Sequence, residues 1–286
     1  MLKHKNIIVF GGTGFVGKYL VKTLKRDGIK IFVIYSGRLD KAEKKSGVKY
    51  YKIDLKKNSK KNLPTNLDTA VIMTQPADLI IKNTIKTLDQ AKNLKKIIFT
   101  STLLVYPSSS KKTKESSPPQ PKSPYERGKI KEEVLLTDYA KKRNIKLGVI
   151  RMANVYGDKK NRGIIGLVFN SILNKTPFVI NGDGNQKRDY IFIEDAANFI
   201  KSVALYKQVK PMEIFNICTG KGQSINESIE LIKKLTGINV LVSHAPTVPE
   251  KKSIIGNNAK ITKLFGKPAY SFSEGLNKTY LNYLSK

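Results

Sequence analysis

Along the first half of the chain, apolar residues gather in short runs separated by longer stretches in which they return every three or four positions. The runs fall at 6–10, 30–35, 48–52, 69–73, 96–101 and 146–151, each the length of a strand buried on both faces. Between them, 15–26 and 78–94 carry apolar residues at helical spacing, the latter at 79, 80, 81, 85, 88 and 91. Strand-length runs alternating with amphipathic helices predict βαβ units on a parallel, doubly wound sheet. The expected class is α/β.

The rhythm breaks twice. Residues 106–123, rich in Ser, Pro and Lys, read as a long surface loop. Past Gly157 the alternation gives way to a helix near 163–174, a loop at 181–188 and further short elements. The predicted organisation is a first domain over 1–156, with 188–205 returning to its sheet, and a smaller C-terminal lobe of 157–187 and 206–286. No apolar run approaches the roughly 20 residues of a membrane-spanning helix. The N-terminus passes from lysines straight into a strand with no small-residue cleavage site, so a cytoplasmic protein is expected.

The first strand is followed at once by Gly11-Gly12-Thr13-Gly14-Phe15-Val16-Gly17 and then by a helix. Glycines in such a turn let backbone N–H groups approach a pyrophosphate, which the helix N-terminus stabilises through its dipole. Gly11, Thr13, Gly14, Phe15, Val16 and Gly17 are thus candidate dinucleotide contacts on a Rossmann-type sheet. Gly12, Gly17 and Lys18 also satisfy a phosphate-loop spacing, but Tyr19 stands where that motif needs Ser or Thr for magnesium. The second strand ends in Tyr35-Ser36-Gly37-Arg38, with no carboxylate for the ribose hydroxyls of NAD. Ser36 and Arg38 suit a 2′-phosphate, so NADP(H) is favoured and NAD(H) is the alternative. Asp54 and Leu55, after the third strand, are placed to meet the adenine.

Ser123-Pro124-Tyr125-Glu126 reads as a helix start, with Ser123 as N-cap, Pro124 at the first position and Glu126 completing a capping box. Tyr125 and Lys129 then share a face one turn apart, so the ammonium can draw the phenol toward a general acid/base role. Tyr156/Lys160 and Tyr206/Lys210 have the same spacing but no capped helix start. Thr100-Ser101-Thr102, at a strand end, offers hydroxyls for the same substrate oxygen.

Composition then excludes whole classes of chemistry. One cysteine, Cys218, forbids an internal disulfide, and two distant histidines, His4 and His244, make no metal cluster. The alternation around Cys218 places it in the core. The net charge of +31 is the excess of 53 basic over 22 acidic residues, and the basic ones are spread along the whole chain. Dispersed lysines lack the single face with interleaved aromatics of a nucleic-acid reader. No nucleic-acid partner is expected, while the field still steers small anions inward.

Together these segments resemble the extended short-chain dehydrogenase/reductases, specifically the NAD-dependent epimerase/dehydratase family that acts on nucleotide-activated sugars. The resemblance is carried by the glycine turn; by Thr100-Ser101-Thr102 with Val105-Tyr106; by Ser123 to Lys129; by Arg151 to Gly157; by Gly182-Asp183-Gly184 with Arg188-Asp189-Tyr190; and by Asn216 to Gly220. It implies that Thr102, Tyr125 and Lys129 are catalytic, that Tyr125 and Lys129 also meet the cofactor, with Lys129 holding its ribose, and that Asn154 and Arg188 contact the sugar and diphosphate. A structural ion pair with Asp189 is the competing reading of Arg188. Leu103-Leu104 stand where the family's dehydratases carry Asp-Glu, and Thr102 offers no thiol of the fucose-synthase kind, so neither reaction is expected. Met73-Thr74-Gln75-Pro76 and Lys251-Lys252 also depart from the family's usual residues. The leading expectation is NADPH-dependent reduction of a 4-keto nucleoside-diphosphate sugar, with a 4-epimerase that retains NAD as the alternative. A non-catalytic dinucleotide sensor or RNA binder is a remote third. The resemblance further implies a homodimer through the helix bearing the Tyr-Lys pair.

Overall fold

A computed structural model of the chain describes residues 5–37, 39, 46–57, 63–247 and 250–284. β1 (Asn6–Phe10) leads into α1 (Phe15–Arg26), followed by β2 (Lys30–Tyr35), β3 (Val48–Lys52), β4 (Thr69–Ile72), α2 (Asp78–Leu88), β5 (Lys96–Thr102), α3 (Pro124–Lys142) and β6 (Lys146–Met152). Then come β7 (Asn154–Tyr156), α4 (Ile164–Asn174), β8 (Phe178–Asn181), β9 (Lys187–Phe192), α5 (Ile193–Leu205), β10 (Met212–Ile217), β11 (Gly222–Ser224) and α6 (Ile225–Thr236). The chain finishes with β12 (Val242–Ala245), β13 (Ser253–Ile254), α7 (Ala259–Phe265) and α8 (Phe272–Leu284).

The strands β10-β6-β5-β4-β1-β2-β3 form one seven-stranded sheet, the doubly wound Rossmann-type arrangement the sequence predicts. β1 is parallel to β2 and to β4. From β1 the chain first builds outward through β2 and β3, then crosses to β4 and builds the other way. Such a reversal opens a crevice at the carboxyl ends of the central strands, where α/β sheets bind ligands. Ile7 to Phe10 are fully buried, as befits a central strand with helices on both faces. On the edge strand β3 the burial lapses, and Lys49 and Lys52 are exposed. Ile8, Phe10, Phe32, Ile72, Ile81, Phe99, Leu136 and Leu147 belong to one continuous core.

Two predicted elements differ. The helix expected over 78–94 stops at Leu88, because Ala91 N–H turns back to the Leu88 carbonyl and Leu94 N–H to that of Ala91. Gln90 leaves the helix to accept a hydrogen bond from Leu63 N–H. In the segment 106–123, which contains no strand or helix of its own before α3, Thr113 bridges Gly256, and its carbonyl accepts from Asn216 Nδ2 and Asn257 N–H. That loop is therefore anchored rather than loose.

The chain divides into two compact units: 1–105, 121–151 and 197–215 in the first, and 106–120, 152–196 and 216–286 in the second. The second is built on β11-β9-β13, with β7 also paired to β9, and on the pair β12-β8. Its aromatic core joins Tyr156, Tyr190, Phe192, Tyr270 and Phe272 through ring contacts of 4.9 to 6.3 Å.

Candidate active site

The β1–α1 turn is closed by Gly14 N–H donating to the Gly11 carbonyl at 3.0 Å. Gly11 has φ +82°, a left-handed backbone that favours glycine. At Gly17 a Cβ would lie 2.1 Å from the Gly11 oxygen, so the first turn of α1 packs against the loop at a distance only glycine permits. Thr13, Gly14, Phe15 and Val16 thereby bring the N-terminus of α1 to the carboxyl end of β1. This cradle, which side chains would fill, suits a dinucleotide pyrophosphate.

At the end of β2, Ser36 is exposed, while Arg38 lies outside the described residues. Asp54 follows β3 and turns Oδ1 to accept Lys56 N–H at 3.0 Å. Leu55 is buried, and its carbonyl accepts from Asn83 Nδ2.

α3 begins where the sequence predicts. Ser123 accepts from Glu126 N–H at 3.2 Å. Glu126 departs from a simple capping box, since its carboxylate reaches one residue further back, to Lys122 N–H at 2.6 Å. The helix start thus holds Tyr125 on the first turn with 39% of its surface exposed. Partial burial pushes its phenol pKa up, and the Glu132 carboxylate adds to the rise.

Lys129 is buried, 3% exposed. Its ammonium donates to the Thr74 carbonyl at 2.8 Å, pairs with Glu132 at 3.2 Å and lies 4.8 Å from the centre of the Phe99 ring. Burial lowers its pKa, and the neighbouring carboxylates work against that fall. Thr102, at the end of β5, accepts from Leu104 N–H at 3.2 Å, a bond that leaves the hydroxyl hydrogen to be donated elsewhere. Thr100 is committed to the Ile72 carbonyl. Of the three strand-end residues Thr100, Ser101 and Thr102, Ser101 has a buried hydroxyl that finds no hydrogen-bond partner among the described residues.

In the second unit, Arg188 donates to Glu250 at 2.6 Å and to the Lys187 carbonyl. Its carboxylate partner is therefore Glu250 and not the adjacent Asp189. Asp189 is buried and receives Thr219 N–H, the Thr219 hydroxyl and Gly220 N–H. Burial raises its pKa to about 6, against those bonds. Asn154 stands on β7 opposite Tyr190 of β9. Tyr156, the rival for the Tyr-x-x-x-Lys role, is buried and donates its hydroxyl to the Phe272 carbonyl. Cys218 is fully buried, with its thiol pKa pushed well up by that burial. Among the described residues, no group of three His, Cys, Asp or Glu side chains is placed to hold a metal ion.

Sequence reading missed Glu132, Glu250 and the Thr74 carbonyl. The spacing of Lys129 to Glu132 was available as an i, i+3 pair, but burial, which gives that pair its weight, was not.

A glycine-cradled helix start on a doubly wound sheet, with a Tyr-Lys pair at the head of α3, defines a dinucleotide-binding α/β protein. The model of the NAD dependent epimerase/dehydratase family matches residues 7–218, and the chain belongs to that family. UDP-glucose 4-epimerase of Mycolicibacterium smegmatis is 26% identical over 95% of this chain and 96% of its own length. UDP-glucuronic acid decarboxylase 1 of Xenopus tropicalis is 25% identical over 99% of this chain and 73% of its own. The crystal structure of Thermus thermophilus UDP-glucose 4-epimerase in complex with NAD superposes with a TM-score of 0.86 at 22% identity, covering 98% of this chain and 99% of that one.

Proposed function

We propose that this chain is a nucleoside-diphosphate-sugar 4-epimerase that retains NAD through its cycle, reversing the order in which the sequence ranks epimerase and 4-keto reductase. The observation that carries the reading is the half-exposed Tyr125 one turn from the buried Lys129 ammonium, in a chain whose near-full-length relative from Mycolicibacterium smegmatis is a UDP-glucose 4-epimerase. The argument for NADPH rests on the missing carboxylate after β2 together with Ser36 and Arg38; Ser36 is exposed, and Arg38 lies outside the described residues. NAD is the cofactor in the complex of the Thermus thermophilus structure, and NAD is proposed here.

The first unit would hold NAD, with Gly11 to Gly17 on the pyrophosphate and Asp54 and Leu55 toward the adenine. Arg188 and Asn154 would take the diphosphate and the sugar. The chemistry that bound NAD would supply is a reversible acceptor for the hydride of the sugar carbon. Tyr125 removes the proton from the C4 hydroxyl as the C4 hydride leaves, and gives it back when hydride returns to the opposite face of the ketone. Thr102 donates a hydrogen bond to the same oxygen and fixes its direction. Lys129 supplies the positive charge that steadies the ionised phenol. No atoms are gained or lost over the cycle, so no external reductant is consumed.

The proposal includes a uridine nucleotide as carrier, a cytoplasmic location and a homodimer through α3. Val134 on α3 and Leu79 on α2 expose 54% and 51% of their surfaces and supply apolar positions for that contact. Among the described residues, no helix is long and apolar enough to cross a membrane.

The test is to release and identify the dinucleotide from freshly purified protein, then to supply UDP-glucose and follow UDP-galactose by chromatography. The expected result is co-purified NAD and interconversion with no added nicotinamide. Protein that purifies empty, prefers NADPH and oxidises it in proportion to a 4-keto sugar would restore the reductase.

A further inference from the structure

The Lys129 ammonium is held more closely than a Tyr-Lys pair requires. An ammonium has three N–H donors. Among the described residues one goes to the Thr74 carbonyl and one to Glu132, and both side chains of the ion pair are almost fully enclosed, at 4% and 3% exposed. Glu132 is itself anchored. Its other oxygen accepts Ala77 N–H at 3.4 Å, and Ala77 caps the N-terminus of α2, where the helix dipole favours a negative charge. The close approach that brings Thr74 to Lys129 is set at Gly128, where a Cβ would lie 2.9 Å from the Pro76 ring.

We propose that Glu132 is a positioning residue that keeps Lys129 charged inside the fold and leaves its third N–H as the one hydrogen free for the reacting groups. The inference rests on the reading of Tyr125 and Lys129 as the proton-transfer pair.

The other charges nearby are accounted for. On α3, Glu133 is bound by Arg151 of β6 at 2.8 and 3.2 Å and acts on Lys129 through its charge alone, without a hydrogen bond to it. Asp78 at the start of α2 is paired with Lys131 on the surface. From β5, Thr102 and Phe99 contribute no charge. Glu132 is therefore the carboxylate that answers Lys129 directly. Burial favours the neutral amine, and Glu132 opposes that tendency through its charge and its hydrogen bond. After burial, the same carboxylate also raises the Tyr125 phenol.

The experiment is an NMR titration of full-length protein labelled with ¹³Cε-lysine, with the Lys129 signal identified by its loss in Lys129→Met. In Glu132→Gln the Lys129 midpoint is expected to fall by about one pH unit, a roughly tenfold weaker hold on its proton. Glu132→Asp, whose carboxylate is drawn back by one methylene, is expected to shift the same way by less. A Lys129 midpoint that stays at or above the wild-type value, in whichever of the two variants folds, would overturn the inference. In the NAD-loaded enzyme the alkaline limb of the activity profile is expected to move down with it. The NMR result is independent of turnover: if Tyr125→Phe keeps full activity, the epimerase reading of this pair fails while the titration still decides the role of Glu132.

Discussion

Arg151 and Glu133 form a bidentate ion pair, with Nε and Nη2 of the arginine 3.2 and 2.8 Å from the two carboxylate oxygens and both side chains at least 93% buried. The pair ties the end of β6 to the middle of α3 and so fixes the rotation of the helix that presents Tyr125 and Lys129. Removing one partner would strand a buried charge, which costs about 3–5 kcal/mol. Glu133→Ala is expected to lose stability on that scale in urea unfolding, and a loss below about 1 kcal/mol would show that the helix is held in place by its apolar contacts alone.

Tyr125→Phe removes only the hydroxyl of a half-exposed ring. Activity is expected to fall by about 10²–10⁴-fold, the usual contribution of a positioned acid/base. The circular dichroism spectrum and the amount of NAD bound should be unchanged. A parallel loss of bound NAD would mean that the hydroxyl serves cofactor binding instead.

Gly17→Ala places a methyl 2.1 Å from the Gly11 oxygen and 2.7 Å from the Gly12 Cα. Backbone cannot yield as a flexible side chain can, so the turn must open, at a cost of about 1–3 kcal/mol. The expected outcome is protein that folds but purifies with little dinucleotide. Wild-type dinucleotide content in this variant would place the pyrophosphate elsewhere.

Lys96 gives a pH signature. It is buried between two carbonyls, Val203 at 2.6 Å and Tyr206 at 2.8 Å, and burial lowers its pKa from 10.5 to about 8. A lysine with a depressed folded pKa is deprotonated in the folded state before it is in the unfolded one. Between pH 8 and 10.5 the unfolded chain therefore binds more protons, and this group's contribution to stability rises with pH. Below pH 8 both states are charged and the burial penalty is felt in full. Chemical unfolding of Lys96→Met compared with wild type across that interval should show the wild type gaining on the variant as pH rises. Parallel curves would mean that Lys96 keeps its charge throughout.

The parallel sheet and its glycine turn were legible because they depend on local patterns. Ile7 to Phe10 and Ile31 to Ile34 are unbroken apolar runs, a pattern that buried parallel strands require. Phe15 to Arg26 has apolar positions on one side and Lys25 and Arg26 in its last turn. The head of α3 was legible for the same reason, since Ser123, Pro124 and Glu126 each act within a few residues of themselves. The end of α2 was not, because the apolar period runs on through Ala91 while Gln90 is drawn away by Leu63, a partner 27 residues distant. The anchoring of the 106–123 loop was hidden likewise, its partners lying more than 100 positions away at Asn216 and Ile255.

By itself the sequence determined the class of fold, the place of the glycine turn and the spacing of Tyr125 and Lys129, all consequences of periodicity and of what glycine and proline allow the backbone. Tertiary structure alone decided how the charged residues are used. Glu132, Glu133 and Glu250 look alike along a chain of +31 net charge, yet one is buried against Lys129, one locks Arg151 and one meets Arg188. What distinguishes them is the setting the fold gives each: Glu132 and Glu133 are buried beside different cations, whereas Glu250 stays exposed and reaches in to the buried Arg188. A charge in water is nearly indifferent to its neighbours, whereas one removed from water must find a partner of fixed geometry, and only the packed fold supplies it.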